Sequence, residues 1–140
     1  MIRSVILDTG PLIALIDHRD QSHPWTRSQF ANIQAPLVTC EAVLTEACYL
    51  ARRIRGGTPA AFELFERGVV RLGFDLNENF PEVSSMMQRY GNVPMSLADA
   101  CLVRMSELVA NCTVLTLDRD FRIYRRHNRQ TIPLLIPPDV

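Results

Sequence analysis

Short apolar runs without alternating polar residues recur along the 140-residue chain, and longer stretches with helical features separate them. Strands are predicted at residues 3–7, 37–38, 69–72, 113–117 and 133–136. Helices are predicted at residues 11–17, 24–33, 41–55, 59–67, 80–90, 97–109 and 119–127. Continuously apolar strands are buried on both faces, and parallel strands need crossover helices between them. The pattern predicts one α/β domain over residues 1–140, with a parallel sheet covered on both faces. Pro133 makes the last strand an edge strand or limits its pairing.

Four carboxylates stand among apolar neighbours in this pattern. Asp8 follows the first predicted strand and Asp118 follows the fourth, whereas Glu46 and Asp99 lie inside apolar helical stretches. A carboxylate in apolar surroundings is costly to bury unless it is paired, hydrogen-bonded or bound to a cation. Ligands of open parallel sheets bind beyond the carboxyl ends of the strands. We therefore expect the four side chains to line one cleft there, and oxygen-only ligands suit Mg²⁺ or Mn²⁺.

Each of these carboxylates also has a purely structural explanation. Asp8 and Asp118 could each cap the helix that follows them. Asp99 comes three residues after Ser96, which matches a capping box with aspartate in place of glutamate. Capping and metal binding are compatible roles. Glu46 is the hardest to explain structurally, because its neighbours one turn away are apolar. The coincidence of four such residues favours a metal site.

Composition excludes several kinds of chemistry. All 15 basic residues are arginine, and the formal net charge is zero. The even charge argues against a strongly basic, sequence-indifferent nucleic-acid binder. The absence of lysine excludes Schiff-base chemistry and the P-loop. It also argues against receiver domains and haloacid-dehalogenase-like phosphatases, which need a lysine.

The cysteines and the hydropathy predict a cytoplasmic protein. The spacing of the four cysteines, Cys40, Cys48, Cys101 and Cys112, fits no zinc site, so buried free thiols in a reducing compartment are expected. The start of the chain has no signal-peptide pattern. No apolar stretch approaches the roughly 20 residues of a membrane span.

Four arginines, Arg119, Arg122, Arg126 and Arg129, follow Asp118 at spacings near three and four. On a helix over residues 119–127 they would form a stripe on one face. A solvated helix face is the default interpretation of such a stripe. The alternative is that these arginines contact RNA phosphates beside the acidic cleft.

Four segments resemble, in order and with compatible spacing, the acidic motifs of PIN domains. They are residues 5–14 with Asp8, residues 41–46 with Glu46, residues 96–100 with Asp99, and residues 115–121 with Asp118. Each segment alone is a weak signal, but the ordered set is specific. The chain length is typical of single-domain toxins of the VapC type. Leu117 departs from the pattern, since relatives often carry a basic or polar residue there.

The resemblance implies a three-layer α/β/α fold with a five-stranded parallel sheet. It implies an endoribonuclease dependent on Mg²⁺ or Mn²⁺, acting as the toxin of a type II toxin–antitoxin pair. The residues it assigns to catalysis and metal binding are Asp8, Glu46, Asp99 and Asp118. Residues implied to assist them by orienting ligands or water are Thr9, Thr116 and Asp120.

The resemblance also implies partners. They are an RNA substrate, a cognate antitoxin that inserts an extended tail near the active site, and a second copy of the chain in a homodimer. A noncatalytic PIN fold that binds RNA or supports an assembly is the alternative, and the intact acidic set argues against it.

Overall fold

A five-stranded parallel sheet organises the protein, whose computed structural model describes residues 3–140. The strands of the sheet are β1 (Ser4–Leu7), β2 (Leu37–Thr39), β3 (Val70–Leu72), β4 (Cys112–Leu115) and β7 (Leu134–Leu135). Their spatial order is β3-β2-β1-β4-β7, and every neighbouring pair is parallel. Two further short strands, β5 (Arg125–Arg126) and β6 (Gln130–Thr131), form an antiparallel hairpin. The predicted α/β/α class with a five-stranded parallel sheet is confirmed.

Six α-helices connect and cover the strands. They are α1 (Thr9–Ile16), α2 (His23–Ala31), α3 (Glu41–Ala51), α4 (Gly57–Glu66), α5 (Phe80–Arg89) and α6 (Leu97–Leu108). A 3₁₀ helix spans Arg119–Arg122. As predicted from Pro133, β7 is an edge strand of the sheet. None of the helices found in residues 3–140 is both long and apolar enough to cross a membrane.

The strand order reverses between β1 and β4. From β1 the chain proceeds through β2 to β3 on one side, and β4 and β7 then add to the other side. Leu7 lies opposite Leu115, and the Asp8 N–H continues the pairing by donating to the Leu115 carbonyl at 3.0 Å. The crevice beyond the carboxyl ends of β1 and β4 is therefore the topological switch point, where open sheets bind ligands.

The helix predicted at residues 41–55 ends at Ala51, four residues early. Gly56 adopts a φ of +66°, and α4 begins immediately after it. A Cβ on Gly57 would clash with the Ala51 carbonyl oxygen, so only glycine permits this close approach. A tight connection between α3 and α4 thus replaces the last turn of the predicted helix.

The helix predicted at residues 119–127 is wrong. A single 3₁₀ turn ends at Arg122, and the chain then enters the β5–β6 hairpin. The side chain of Asp118 starts the turn by accepting the Asp120 N–H at 2.8 Å. His127 and Asn128 reverse the chain with φ values of 51° and 68°, and positive φ at both central residues is what a tight hairpin turn requires. The arginines at 119, 122, 126 and 129 therefore share no helix face.

All four cysteines are free thiols, three of them buried and Cys48 partly buried. The sequence-based expectation of mostly buried free thiols is confirmed. Cys40 and Cys101 belong to the same core as Leu7, Val43 and Leu102. This core supports the carboxyl edge of the sheet from below.

Candidate active site at the carboxyl edge of the sheet

A cavity of about 940 Å³ opens at the switch point, beside the ends of β1 and β4. Its lining includes the four predicted carboxylates, Asp8, Glu46, Asp99 and Asp118. They come from different elements that are far apart in sequence, namely the residues after β1 and β4 and the helices α3 and α6. We call this the acidic cavity. The four side chains line one cleft, as predicted.

Asp8 is held by two hydrogen bonds, one to each carboxylate oxygen. Its Oδ1 accepts the Thr9 N–H at 2.7 Å, which caps α1, and its Oδ2 accepts the Thr116 hydroxyl at 2.7 Å. Thr116 Oγ1 also accepts the Asp118 N–H at 3.0 Å. The fully buried hydroxyl of Thr116 therefore ties the end of β1 to the loop after β4. Asp8 therefore both caps α1 and lines the acidic cavity.

Asp99 forms the predicted capping box at the start of α6. Its N–H donates to Ser96 Oγ at 3.0 Å, and its Oδ2 accepts the Ser96 N–H at 3.2 Å. The hydroxyl of Tyr124 donates to the same Oδ2 at 3.0 Å. The side chain is thus fixed from the helix start and from the segment before the hairpin, while Asp99 still lines the acidic cavity.

Glu46 and Asp118 are partly buried at the same cavity. The Thr9 hydroxyl donates to Glu46 Oε1 at 2.8 Å, so Thr9 contacts two of the four acids through its backbone and its side chain. Asp118 Oδ1 accepts the Asp120 N–H. The Asp120 side chain is not part of the cavity lining. Thr9 and Thr116 therefore contact the acids directly with their hydroxyls, whereas Asp120 does so through its backbone.

Burial makes the negative charge in the acidic cavity unfavourable. It raises the pKa of Asp8 from 3.8 to about 7; hydrogen bonds from Thr116 and Thr9 lower this pKa, and the charges of Asp99 and Asp118 raise it. Burial also raises the pKa of Asp99, against the hydrogen bonds from Ser96 and Tyr124. Carboxylates that are crowded and desolvated in this way are stabilised in their charged form by a bound cation.

The donor chemistry of the acidic cavity fits a hard divalent cation. Four carboxylates supply only oxygen, which is the preference of Mg²⁺ and Mn²⁺. In residues 3–140 no three acidic, histidine or cysteine side chains already stand in a metal-binding arrangement. Glu46 and Asp118, which are less buried than Asp8 and Asp99, have the most room to move.

Comparisons with known proteins identify the family and the fold. A family model of the PIN domain matches residues 5–126, a span that contains all four carboxylates. The chain belongs to the PIN domain family. This PIN domain is similar in structure to Mycobacterium tuberculosis VapC20, which is described as a toxin that cleaves the sarcin–ricin loop. The TM-score is 0.74 at 21% identity, over 93% of this chain and 100% of that chain. This likeness confirms the fold. No curated protein matches the sequence.

Sequence reasoning missed two aromatic residues of this PIN domain. Tyr124 lies within the predicted helix that does not form, and no pattern in the sequence indicates its contact with Asp99. Tyr49 lies three residues after Glu46 in α3 and lines the acidic cavity with Leu50. The spacing of 46, 49 and 50 in one helix was the available signal, because residues three and four apart share a helix face.

The four arginines after Asp118 have different environments. Arg119 is exposed and lines the acidic cavity. Arg122 is exposed and donates to the Val140 carbonyl at 3.2 Å. Arg126 is buried and donates to the Val109 carbonyl at 3.3 Å, and Arg129 is exposed in the hairpin turn. Of this predicted stripe, Arg119 alone is placed at the cavity.

Proposed function

We propose that this PIN domain is an endoribonuclease that hydrolyses RNA phosphodiester bonds with Mg²⁺ or Mn²⁺. The observation that carries the proposal is the convergence of Asp8, Glu46, Asp99 and Asp118 on the acidic cavity at the switch point of the sheet. Membership of the PIN family, whose members include nucleases, supports it. These four residues are proposed to hold the cation and to be the catalytic set.

The surrounding residues prepare the four acids for that role. A bound divalent cation supplies Lewis acidity and a water of lowered pKa. Thr116 and the Thr9 N–H fix both oxygens of Asp8, and Ser96 and Tyr124 fix Asp99. Each oxygen of Asp8 keeps a second lone pair for a further ligand, and Asp99 Oδ1 accepts none of these hydrogen bonds. Leu50 and Leu117 add apolar surface to the wall of the cavity.

We propose that the protein acts as the toxin of a type II toxin–antitoxin pair in the cytoplasm. Its similarity in fold to VapC20, described as a toxin that cleaves the sarcin–ricin loop, supports this role. RNA is then the substrate, and a cognate antitoxin and a second copy of the chain are the expected protein partners. Expression of the wild-type chain in a bacterial host should arrest growth. Arrest should be relieved by co-expression of a small DNA-binding protein encoded just upstream, if the pairing is correct.

A noncatalytic RNA-binding or assembly module is the second candidate. It is favoured by one observation, that no three potential ligands in residues 3–140 already stand in a metal-binding arrangement. The two candidates make opposite predictions for purified protein and labelled single-stranded RNA. The nuclease cleaves with Mg²⁺ or Mn²⁺ and stops in chelator. The Asp99→Asn variant, purified in parallel, controls for contaminating nucleases. RNA binding without cleavage by the wild-type protein under all metal conditions would favour the noncatalytic module.

A further inference from the structure

A second, basic cavity lies near the end of α3. Its volume is about 500 Å³, and its lining includes Arg19, Arg53 and Arg55 together with Asp17. We call it the basic cavity. The ion pairs among residues 3–140 involve Arg67 and Arg104. The three guanidinium groups therefore carry charge that no acidic side chain of the described chain neutralises in a direct ion pair, in a protein whose net charge is zero.

Residues of α3 and of the turn that follows it line the acidic and basic cavities. Glu46 and Leu50 line the first cavity and Arg53 lines the second, at helical spacings of four and three. The Arg53 N–H donates to the Leu50 carbonyl at 3.3 Å, which continues the helical turn beyond Ala51. At 1.5 Å per residue, Glu46 and Ala51, the last residue of α3, are about 7.5 Å apart along the helix axis, and Arg53 follows two residues later. A flexible polyanion can follow this short path.

Tyr49 stands between the two cavities with an unusually exposed ring. It is 60% exposed and lines the acidic cavity. The guanidinium of Arg52 covers one face of the ring at 3.9 Å from its centroid, and its Nε donates to the Tyr49 carbonyl at 2.9 Å. The ring is thereby held in place with its other face uncovered by Arg52. An exposed aromatic ring beside a positively charged groove is the usual platform for a single-stranded base.

We propose that Tyr49 and the basic cavity form a binding subsite for the single-stranded RNA that flanks the cleaved bond. A base stacks on Tyr49, and the next phosphates of the strand contact Arg53 and Arg55. This subsite rests on the proposed function, because it names the substrate strand of the acidic cavity. RNA is favoured over an acidic protein because a stacking ring, a stacked guanidinium and uncompensated arginines follow one another directly from the cavity.

Binding of a labelled, mixed-sequence single-stranded RNA in chelator tests the subsite without cleavage. The Tyr49→Ala variant should bind roughly 5- to 150-fold more weakly, as expected for loss of one stacked base, and Tyr49→Phe should bind like the wild type. The Arg53→Gln/Arg55→Gln variant should reduce the slope of log affinity against log salt by about 1.4, since each lost phosphate contact accounts for about 0.7.

A matched double variant, Arg67→Gln/Arg89→Gln, removes the same charge from positions outside both cavities. It should leave the slope almost unchanged. The side chains substituted in all of these variants are exposed, so we expect each variant to fold. Thermal unfolding checks this for each variant.

Two results would overturn the subsite. One is unchanged affinity of Tyr49→Ala together with an unchanged salt slope of Arg53→Gln/Arg55→Gln, which would assign this surface to a protein partner. The other is an equal loss in the matched control, which would show only a diffuse charge effect. The proposed function is judged separately, by cleavage with Mg²⁺ or Mn²⁺. If the wild-type protein binds RNA through this subsite but never cleaves it, the subsite proposal stands and the proposed nuclease function is refuted.

Discussion

The hydroxyl of Tyr124 donates a hydrogen bond to Asp99 Oδ2 at 3.0 Å, and its ring is completely buried. Tyr90 and Phe121 pack edge-on against that ring, with centroids 5.3 and 5.2 Å away. The oxygen therefore has little freedom to leave the carboxylate. Asp99 is oriented by a residue 25 positions later in the sequence, which makes Tyr124 a positioning residue for the acidic cavity.

The Tyr124→Phe variant should lower metal affinity or cleavage activity by about 10- to 100-fold, because loss of a hydrogen bond to a metal-binding residue commonly has that effect. Mn²⁺ titration followed by cleavage rate separates the two effects. Tyr90→Phe is the matched control, since the Tyr90 hydroxyl accepts the Arg125 N–H and contacts no carboxylate in the cavity. Equal metal affinity and equal rates in Tyr124→Phe and wild type would refute the positioning role.

Asp8→Asn and Asp99→Asn should each abolish cleavage while leaving the protein folded. Both substitutions remove a negative charge that burial disfavours, as the raised pKa of each residue indicates, so the metal-free variants should unfold at or above the wild-type temperature. Glu41→Gln, in the exposed first turn of α3, is the control and should cleave normally. Full activity in either aspartate variant would remove that residue from the catalytic set.

Binding of Mg²⁺ or Mn²⁺ should stabilise the wild-type protein against heat. A cation that binds only the folded state adds about 2.7 kcal/mol at a concentration 100-fold above its dissociation constant. The increase in unfolding temperature should vanish in chelator and in Asp8→Asn. Cleavage should follow the same titration. Activity that persists in contaminant-free, chelated protein would require a mechanism without the cation.

Arg126→Gln should destabilise the protein by about 1–3 kcal/mol, which is typical for leaving a buried polar group without its partner. Arg126 is 8% exposed and donates to the Val109 carbonyl. Arg129→Gln, in the exposed turn of the same hairpin, should change the free energy of unfolding by less than about 0.5 kcal/mol. Urea unfolding measures both. Similar values for the two variants would show that the Arg126 hydrogen bond contributes little.

The convergence of the four carboxylates could be predicted because parallel strands end at the same edge of a sheet. Asp8 and Asp118 follow neighbouring strands, so their meeting needs only the strand order to be right. The helical positions of Glu46 and Asp99 followed from apolar periodicity and from Ser96 as a cap. These signals are local, and the structure agrees with them.

The segment after Asp118 could not be predicted in the same way. Its arginine spacing imitates a helix, and its hairpin turn contains no glycine or proline to mark it. His127 and Asn128 take the positive φ values there, and asparagine and histidine tolerate that conformation better than most residues. Burial of Phe121 and Tyr124 decides the path of the chain. That burial depends on contacts with distant residues, which no local pattern encodes.

The strand order has a consequence for when the site can exist during synthesis. β1 lies at the centre of the sheet, and its neighbour on one side is made only at residues 112–115. A nascent chain that stops before this point holds Asp8, Glu46 and Asp99 but lacks Asp118, the Thr116 hydroxyl and Tyr124. The set of four acids is then incomplete, and Asp8 and Asp99 each lack one hydrogen-bond donor. The acidic cavity therefore cannot be completed until more than four-fifths of these 140 residues have been translated.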